Sequence, residues 1–269
     1  MEPILLYGVP QGCSFGSIVA LEWLGQPYRL CRIEMQKHPW HPLYERINPL
    51  RQTPSMLLED DRVLGESLAI LLHIAGRDLD KPIGFAQGTV EFDQLNQMLA
   101  YLHTDFFSAF NPLWIACEFK MLDEESRATL RAIGEDGAAR NFSYLNNLLA
   151  NRQWLLGGKS PSVADAYFVG VARWADYHKL FDMEREYPHL HRHLQKLQTD
   201  PAVMFAEKME RGEAVATNRV FRGHVTLDEL EIRLVPERVC SEQHFHVGVG
   251  PVRDYLPVPK CVSAETFFG

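Results

Sequence analysis

Ile4 to Tyr7 is a short continuous apolar run, the pattern of a buried strand. Phe15, Ile18, Val19 and Trp23 then recur at helical spacing until Gly25 and Pro27 interrupt the segment, which predicts a helix directly after that strand. Tyr28 to Ile33 is again rich in apolar and β-branched positions, so the three pieces close a βαβ unit whose crossover makes the two strands parallel. A polar, proline-marked stretch from Met35 to Leu50 leads into Gln52-Thr53-Pro54. Ser55 to Leu58 and Arg62 to Leu64, joined through Glu59, Asp60 and Asp61, predict a tight hairpin, and a helix is expected from Glu66-Ser67 to about Ala75. The order is βαβ followed by ββα.

After a polar linker from Gly76 to Thr89, which holds Lys81-Pro82 and Gly84, the period changes. Phe92, Leu95, Met98, Leu99 and Leu102 are spaced to bury one helical face, and Ala138 to Leu149 offers a second such segment. An all-helical second domain is expected. Ser162-Val163-Ala164-Asp165, just ahead of Tyr167, Phe168 and Val171, has the spacing of a capping box with an acidic third residue, so Ser162 and Asp165 are read as structural. Trp174 and Tyr177 on the same segment are read as core. The expected boundaries are 1–78 for the α/β domain, 88–211 for the helical domain and 212–269 for a C-terminal extension. That extension carries Leu230 to Val235 with mixed alternation, together with Pro236, Pro251, Pro257 and Pro259. It is too apolar for a flexible tail and is expected to fold against the two domains.

Pro10-Gln11-Gly12-Cys13-Ser14 puts a thiol and a hydroxyl where the first strand hands over to the first helix. The first amides of a helix carry partial positive charge, so a thiolate at Cys13 is expected to be stabilised and its pKa to fall. A small residue packing at the turn explains the same cysteine equally well. With 269 residues, 46% of them apolar, the chain can bury cores for two domains. An excess of 35 acidic over 27 basic residues argues against broad nucleic-acid binding. No apolar run is long enough to span a membrane, and Met1-Glu2-Pro3 does not open like a signal peptide. Five widely spaced cysteines without a C-x-x-C suit a reducing compartment, so a cytoplasmic chain is expected. Cys240, His244, His246 and Cys261 are soft ligands whose spacing fits no compact zinc motif, and no metal is expected.

Taken in order, Tyr7, the Pro-x-x-Cys-Ser run ending in Cys13-Ser14, Asn48-Pro49 before Gln52-Thr53-Pro54, and Glu66-Ser67 resemble the bacterial beta class of cytosolic glutathione S-transferases. The resemblance stops near Gly212. It implies a thioredoxin-like α/β N-terminal domain, an all-α C-terminal domain, glutathione as cosubstrate and a homodimer with the site near its interface. It also implies a cis Pro54, with Thr53 offering its backbone to the cysteinyl part of glutathione. Ser67 and the helix start would hold the γ-glutamyl carboxylate, and Glu66 would pair with its ammonium. Gln52 matches a further contact, and Lys37 or His38 lies near the residue that meets the glycyl carboxylate.

In the segment Thr104 to Phe110 the same resemblance keeps an acidic position at Asp105, whereas Phe107 and Ser108 stand for a family histidine and lysine. A less basic, more apolar second-substrate pocket is expected, with Phe106, Phe107, Phe110 and Trp114 either lining it or, at helical spacing, belonging to the core. Two chemistries are compatible with the family. In the first, which we favour on sequence, a glutathione thiolate held by the Cys13 and Ser14 region attacks a hydrophobic electrophile. In the second, Cys13 is itself the nucleophile of a thiol transferase or disulfide reductase. Tyr7 is a third catalytic candidate through its phenol. A ligand-binding member of the fold without catalysis is the remaining alternative.

Overall fold

The computed structural model describes residues 2–233. Among them, β1 (Ile4–Val9), β2 (Tyr28–Glu34), β3 (Ser55–Leu57), β4 (Val63–Gly65) and β5 (Phe221–His224) form one mixed sheet of order β4-β3-β1-β2-β5. β1 is central, parallel to β2 and antiparallel to β3, and every residue in it is buried, which is why its sequence is a continuous apolar run. The crossover α1 (Phe15–Leu24) ends at Gly25, whose positive φ of 72° lets its amide close back onto the Leu21 carbonyl. α1 and α3 (Ser67–Gly76) pack together on one face of the sheet. The other face is covered by α2 (Pro42–Ile47), a helix inside the stretch that the hydrophobic pattern leaves as a polar connection.

The helical half contains α4 (Val90–Tyr101), a wide π-turn over Leu102–Phe107, α5 (Asn111–Glu118), α6 (Glu124–Leu148), α7 (Val163–Ala172), α8 (Trp174–Tyr177), α9 (Met183–Glu186), α10 (Pro188–Gln198) and α11 (Pro201–Arg211). α7 is buried along its whole length and lies against α1. That approach requires Gly16, where an added Cβ would come within 2.6 Å of the Ala166 carbonyl oxygen. The expected capping box is present, with Ser162 and Asp165 satisfying each other's backbone amides. Asp165, fully buried, also accepts from the Leu155 amide at 3.0 Å. One apolar cluster runs from the sheet through α1 and α3 into the helical half, so the two share a core.

The extension enters the sheet. β5 runs parallel to β2, with Tyr28 opposite Phe221 and Leu30 opposite His224, so it covers the β2 edge. Phe221 is buried between Tyr28 and Phe205. The alternation from Leu230 onward does not become a strand there: α12 (Leu227–Arg233) forms instead. The cause is a Thr-x-x-Glu box, in which the Thr226 amide donates to Glu229 Oε2 at 2.7 Å and the Glu229 amide to Thr226 Oγ1 at 3.2 Å. Cys240, His244, His246 and Cys261 lie outside the described residues.

Candidate functional site

The Gln11-Gly12-Cys13 loop is held from the helical half. Trp174 Nε1 donates to the Gln11 carbonyl at 3.2 Å, and Arg173 donates to the Gly12 carbonyl at 3.2 Å. Arg173 is fixed in turn by its Nε donating to the Gly170 carbonyl at 2.8 Å, by a two-pronged pair with Glu210 and by the Phe15 ring 4.1 Å beneath the guanidinium. From the other side the Ser14 hydroxyl accepts the Gly8 amide at 3.0 Å. Ser14 is 1% exposed, so its oxygen ties the loop to the end of β1.

Cys13 lies one residue ahead of the Ser14 cap, partly exposed and packed on the core. The helix start predicts a lowered thiol pKa, but the balance runs the other way: burial pushes it up to about 12 against the downward pull of the Arg173 charge. Among groups that matter to the thiol, desolvation outweighs the one nearby cation.

The second half of the cluster comes from the hairpin. Thr53–Pro54 is a cis peptide, as the resemblance implies, and Pro54 is buried while Thr53 keeps part of its surface. Gly8 is glycine because a Cβ there would run into the Thr53 side chain, so the end of β1 and the Thr53 turn are in direct apposition. Glu66 is exposed at φ 66° just before α3, and Ser67, 6% exposed, is the first residue of that helix. The Glu66 charge reaches both Cys13 and Tyr167, which puts the two ends of the site within electrostatic range. Gln52 and Lys37 are exposed; the Gln52 carbonyl is held by Tyr44 and Asn48, and the Lys37 amide donates to Glu34.

Sequence reasoning missed a pair on the helical half, of which Tyr167 lies within electrostatic range of the thiol. Tyr167 on α7 senses the Cys13 charge, and its hydroxyl is 2.9 Å from His103 Nδ1. Burial holds the Tyr167 phenol far above its usual value, so it keeps its proton. His103 lies four residues ahead of Phe107, on the π-turn Leu102–Phe107. The available signal was the histidine itself, preceding Phe106 and Phe107 in an otherwise apolar segment.

The remaining predicted residues divide. Phe106 and Phe110 are fully buried and pack edge-on to each other and against Phe142, so core packing describes them rather than a pocket lining. Phe107 is half-buried between His103 at 5.4 Å and Trp174 at 5.2 Å, beside the loop that carries Cys13. Trp114, 7% exposed, lies among Trp174, Tyr177 and His178. Asp105 is exposed and accepts from the Thr104 hydroxyl. Tyr7, 1% exposed, donates to the Met209 carbonyl at 3.3 Å and meets His224 Nε2 at 3.0 Å, so its phenol joins β1 to α11 and β5. No cluster of three or more metal-ligating side chains and no helix long and apolar enough to cross a membrane occurs among the described residues.

The model of the glutathione S-transferase N-terminal domain matches residues 13–77, and that of the glutathione S-transferase C-terminal domain matches residues 111–201. The chain belongs to the glutathione S-transferase family. Glutathione S-transferase GstA of Escherichia coli O157:H7 is 28% identical over 172 residues, which span 63% of this chain and 81% of the relative. A sphingomonad glutathione S-transferase complexed with glutathione superposes with a TM-score of 0.68 at 26% identity, covering 77% of this chain and 98% of that one. The bacterial beta class glutathione S-transferase of Sphingomonas chungbukensis does so with a TM-score of 0.67 at 25% identity, again over 77% and 98%. In this transferase fold the thiol loop, the cis-proline turn and the α3 start are linked through Gly8, which bonds Ser14 and faces Thr53, and through the Glu66 charge, which reaches Cys13 and Tyr167.

Proposed function

We propose that this chain conjugates glutathione to a small hydrophobic electrophile. The observation that carries the proposal is the convergence of Cys13, the cis Thr53–Pro54 turn and the Glu66–Ser67 helix start, in a family with a glutathione complex at 26% identity. The backbone of Thr53 would bind the cysteinyl portion, the α3 start with Ser67 would take the γ-glutamyl carboxylate, and Glu66 would pair with the ammonium. Gln52 and Lys37, with Asp105 across the cleft, are further glutathione contacts in this reading.

The raised Cys13 pKa favours conjugation over thiol exchange, because the neutral side chain serves as a neighbour to the bound sulfur rather than as the nucleophile. With His103 donating from Nδ1 to the Tyr167 oxygen, the Tyr167 hydrogen is available to the sulfur of glutathione. The thiolate attacks the electrophilic carbon, a C–S bond forms, the leaving group departs with the bonding pair and the thiol proton passes to solvent. Phe107, half-buried and backed by the buried Trp174, provides the apolar side on which the electrophile would rest. A homodimer, which the family resemblance implies, is part of the reading.

The test begins with calorimetric titration of reduced glutathione, expected to show saturable binding, followed by turnover of an activated chloronitrobenzene. Cys13→Ala is expected to keep turnover within about tenfold of wild type, and Tyr167→Phe to lower kcat/KM by about tenfold or more. Ser14→Ala should cost stability by orphaning the Gly8 amide. Complete loss of turnover in Cys13→Ala, with disulfide exchange intact in wild type, would replace conjugation by the thiol-transfer chemistry.

A further inference from the structure

The Gln52–Thr53 segment is held by α2. Tyr44 Oη donates to the Gln52 carbonyl, and Asn48 Nδ2 donates to the same carbonyl at 2.8 Å and to Ser55 Oγ at 2.9 Å. Six residues of helix are too few to be stable by themselves, so α2 depends on what it packs against. Its apolar side, Leu43, Tyr44 and Ile47, lies on the outer sheet face, and the cluster there is completed from the extension by Leu230, 2% exposed, with Val225 and Leu227 at its margin.

The polar contacts point the same way. His41 caps α2, its Nδ1 accepting the Leu43 amide at 3.1 Å. An imidazole that accepts at Nδ1 carries its proton on Nε2, and that nitrogen is 3.1 Å from Asp228 Oδ1 on α12. The extension thus selects the tautomer that caps the helix. A second pair joins Arg46 to Glu231 at 3.7 Å.

We propose that the C-terminal extension, through α12, sets the affinity for glutathione by holding α2 and hence the Gln52–Thr53 backbone in its binding geometry; the inference rests on the glutathione reading above. A short helix at the low end of the local stability range opens more often than the sheet beneath it. Apparent affinity scales with the fraction of molecules in which the segment is closed, so α12 raises affinity by raising that fraction. Cys13 and Arg173 flank α1 and α7, Tyr167 is on α7 and His103 on the π-turn after α4, all away from the α2–α12 cluster, so turnover at saturating glutathione is not touched. Leu230, Asp228 and His41 are positioning residues in this account.

The experiment compares full-length Leu230→Ala, Leu230→Met and Asp228→Ala with wild type, by calorimetry with reduced glutathione, by steady-state kinetics and by amide exchange. Leu230→Ala is expected to raise Kd and KM for glutathione by about tenfold with kcat retained, and to speed exchange at the Tyr44 and Asn48 amides while β1 stays protected. Leu230→Met should restore both. Asp228→Ala, an 88% exposed side chain whose loss leaves the core intact, should raise Kd by about threefold and keeps the test decisive if Leu230→Ala fails to fold. Unchanged Kd in Leu230→Ala despite faster α2 exchange overturns the inference, as does a fall in kcat with affinity retained. Where the wild type binds glutathione and all three variants match it, only this inference falls. A wild type that binds no glutathione overturns the functional reading beneath it as well.

Discussion

Arg173→Ala is the substitution whose cost the structure defines best. The guanidinium is 23% exposed and its partner Glu210 only 11%, and the pair is two-pronged. Removing the cation leaves a nearly buried carboxylate unpaired, a change that costs about 3–5 kcal/mol. It also strips one donor from each of the Gly12 and Gly170 carbonyls. Partial solvent access lets water reach part of the site, so we expect the lower end, about 3 kcal/mol, from a domain pair whose whole stability is on the order of 5–15 kcal/mol. Urea unfolding followed by tryptophan fluorescence measures it, as a shift in midpoint with unchanged slope. Arg173→Met combined with Glu210→Met should recover most of the loss, because the penalty comes from the orphaned charge rather than from a missing attraction. Arg173→Ala within about 1 kcal/mol of wild type, or no more stable in the double replacement, would refute the assignment. The same variant should alkylate more slowly at Cys13, since the Arg173 charge is the largest influence lowering that thiol's pKa.

Asp165→Ala should destabilise by about 3–5 kcal/mol in the same assay, because it orphans the buried Leu155 and Ser162 amides and removes the carboxylate facing His193 at 3.2 Å. His178, 4% exposed, is lowered by burial to about 4. The unfolded chain therefore takes up this proton first as pH falls. Stability should decline from about pH 6.5 towards 4, by up to roughly 3 kcal/mol, and His178→Phe should flatten that limb in urea titrations. Burial pushes Cys31, 1% exposed, up to about 12, so above pH 9 the unfolded state releases a proton that the folded state keeps. Stability should then fall by about 1.4 kcal/mol per pH unit for this group, and Cys31→Val should remove that component of the alkaline slope.

What the sequence made legible was whatever local periodicity or a short cap encodes. The β1 run, the α1 spacing, the hairpin and the Ser162–Asp165 box are each decided within a few residues, and each appears where expected. α2 was not legible because its cap is a histidine ring selected by Asp228, almost two hundred positions downstream. β5 was not legible because Phe221 to His224 contains a glycine and two polar residues, and its strand character comes from pairing with an existing edge. In the candidate site, Cys13, Thr53 and Ser67 carry motifs and were legible as candidates on that ground. Tyr167 read as a core position and is one, at 1% exposure, yet its single hydroxyl meets His103 within range of the thiol. Arg173 left a fainter mark, a charge closing a run of ten buried residues, whose meaning depends on Glu210 and Gly12.

The two halves are joined through the thiol loop, and under the proposed function that joint bears on which sulfur reacts. Arg173 and Trp174 just after α7 clamp the carbonyls of Gly12 and Gln11, which keeps Cys13 packed against the core, where burial raises its pKa against the downward pull of the Arg173 charge. Burial favours the neutral form of the Cys13 thiol at pH 7, so in the conjugation reading an incoming glutathione sulfur is more available as thiolate than Cys13. Under the proposed function this arrangement favours a cosubstrate nucleophile and gives the clamp a chemical role, withholding the resident thiol from exchange. Loosening the clamp should therefore not convert the protein into a better conjugating enzyme but expose Cys13 to water, lower its desolvation and shift the balance towards mixed disulfides. Trp174→Ala, which frees the Gln11 carbonyl without touching the Arg173 charge, separates the two effects: raised Cys13 glutathionylation by oxidised glutathione supports the argument, and unchanged thiol reactivity would break it.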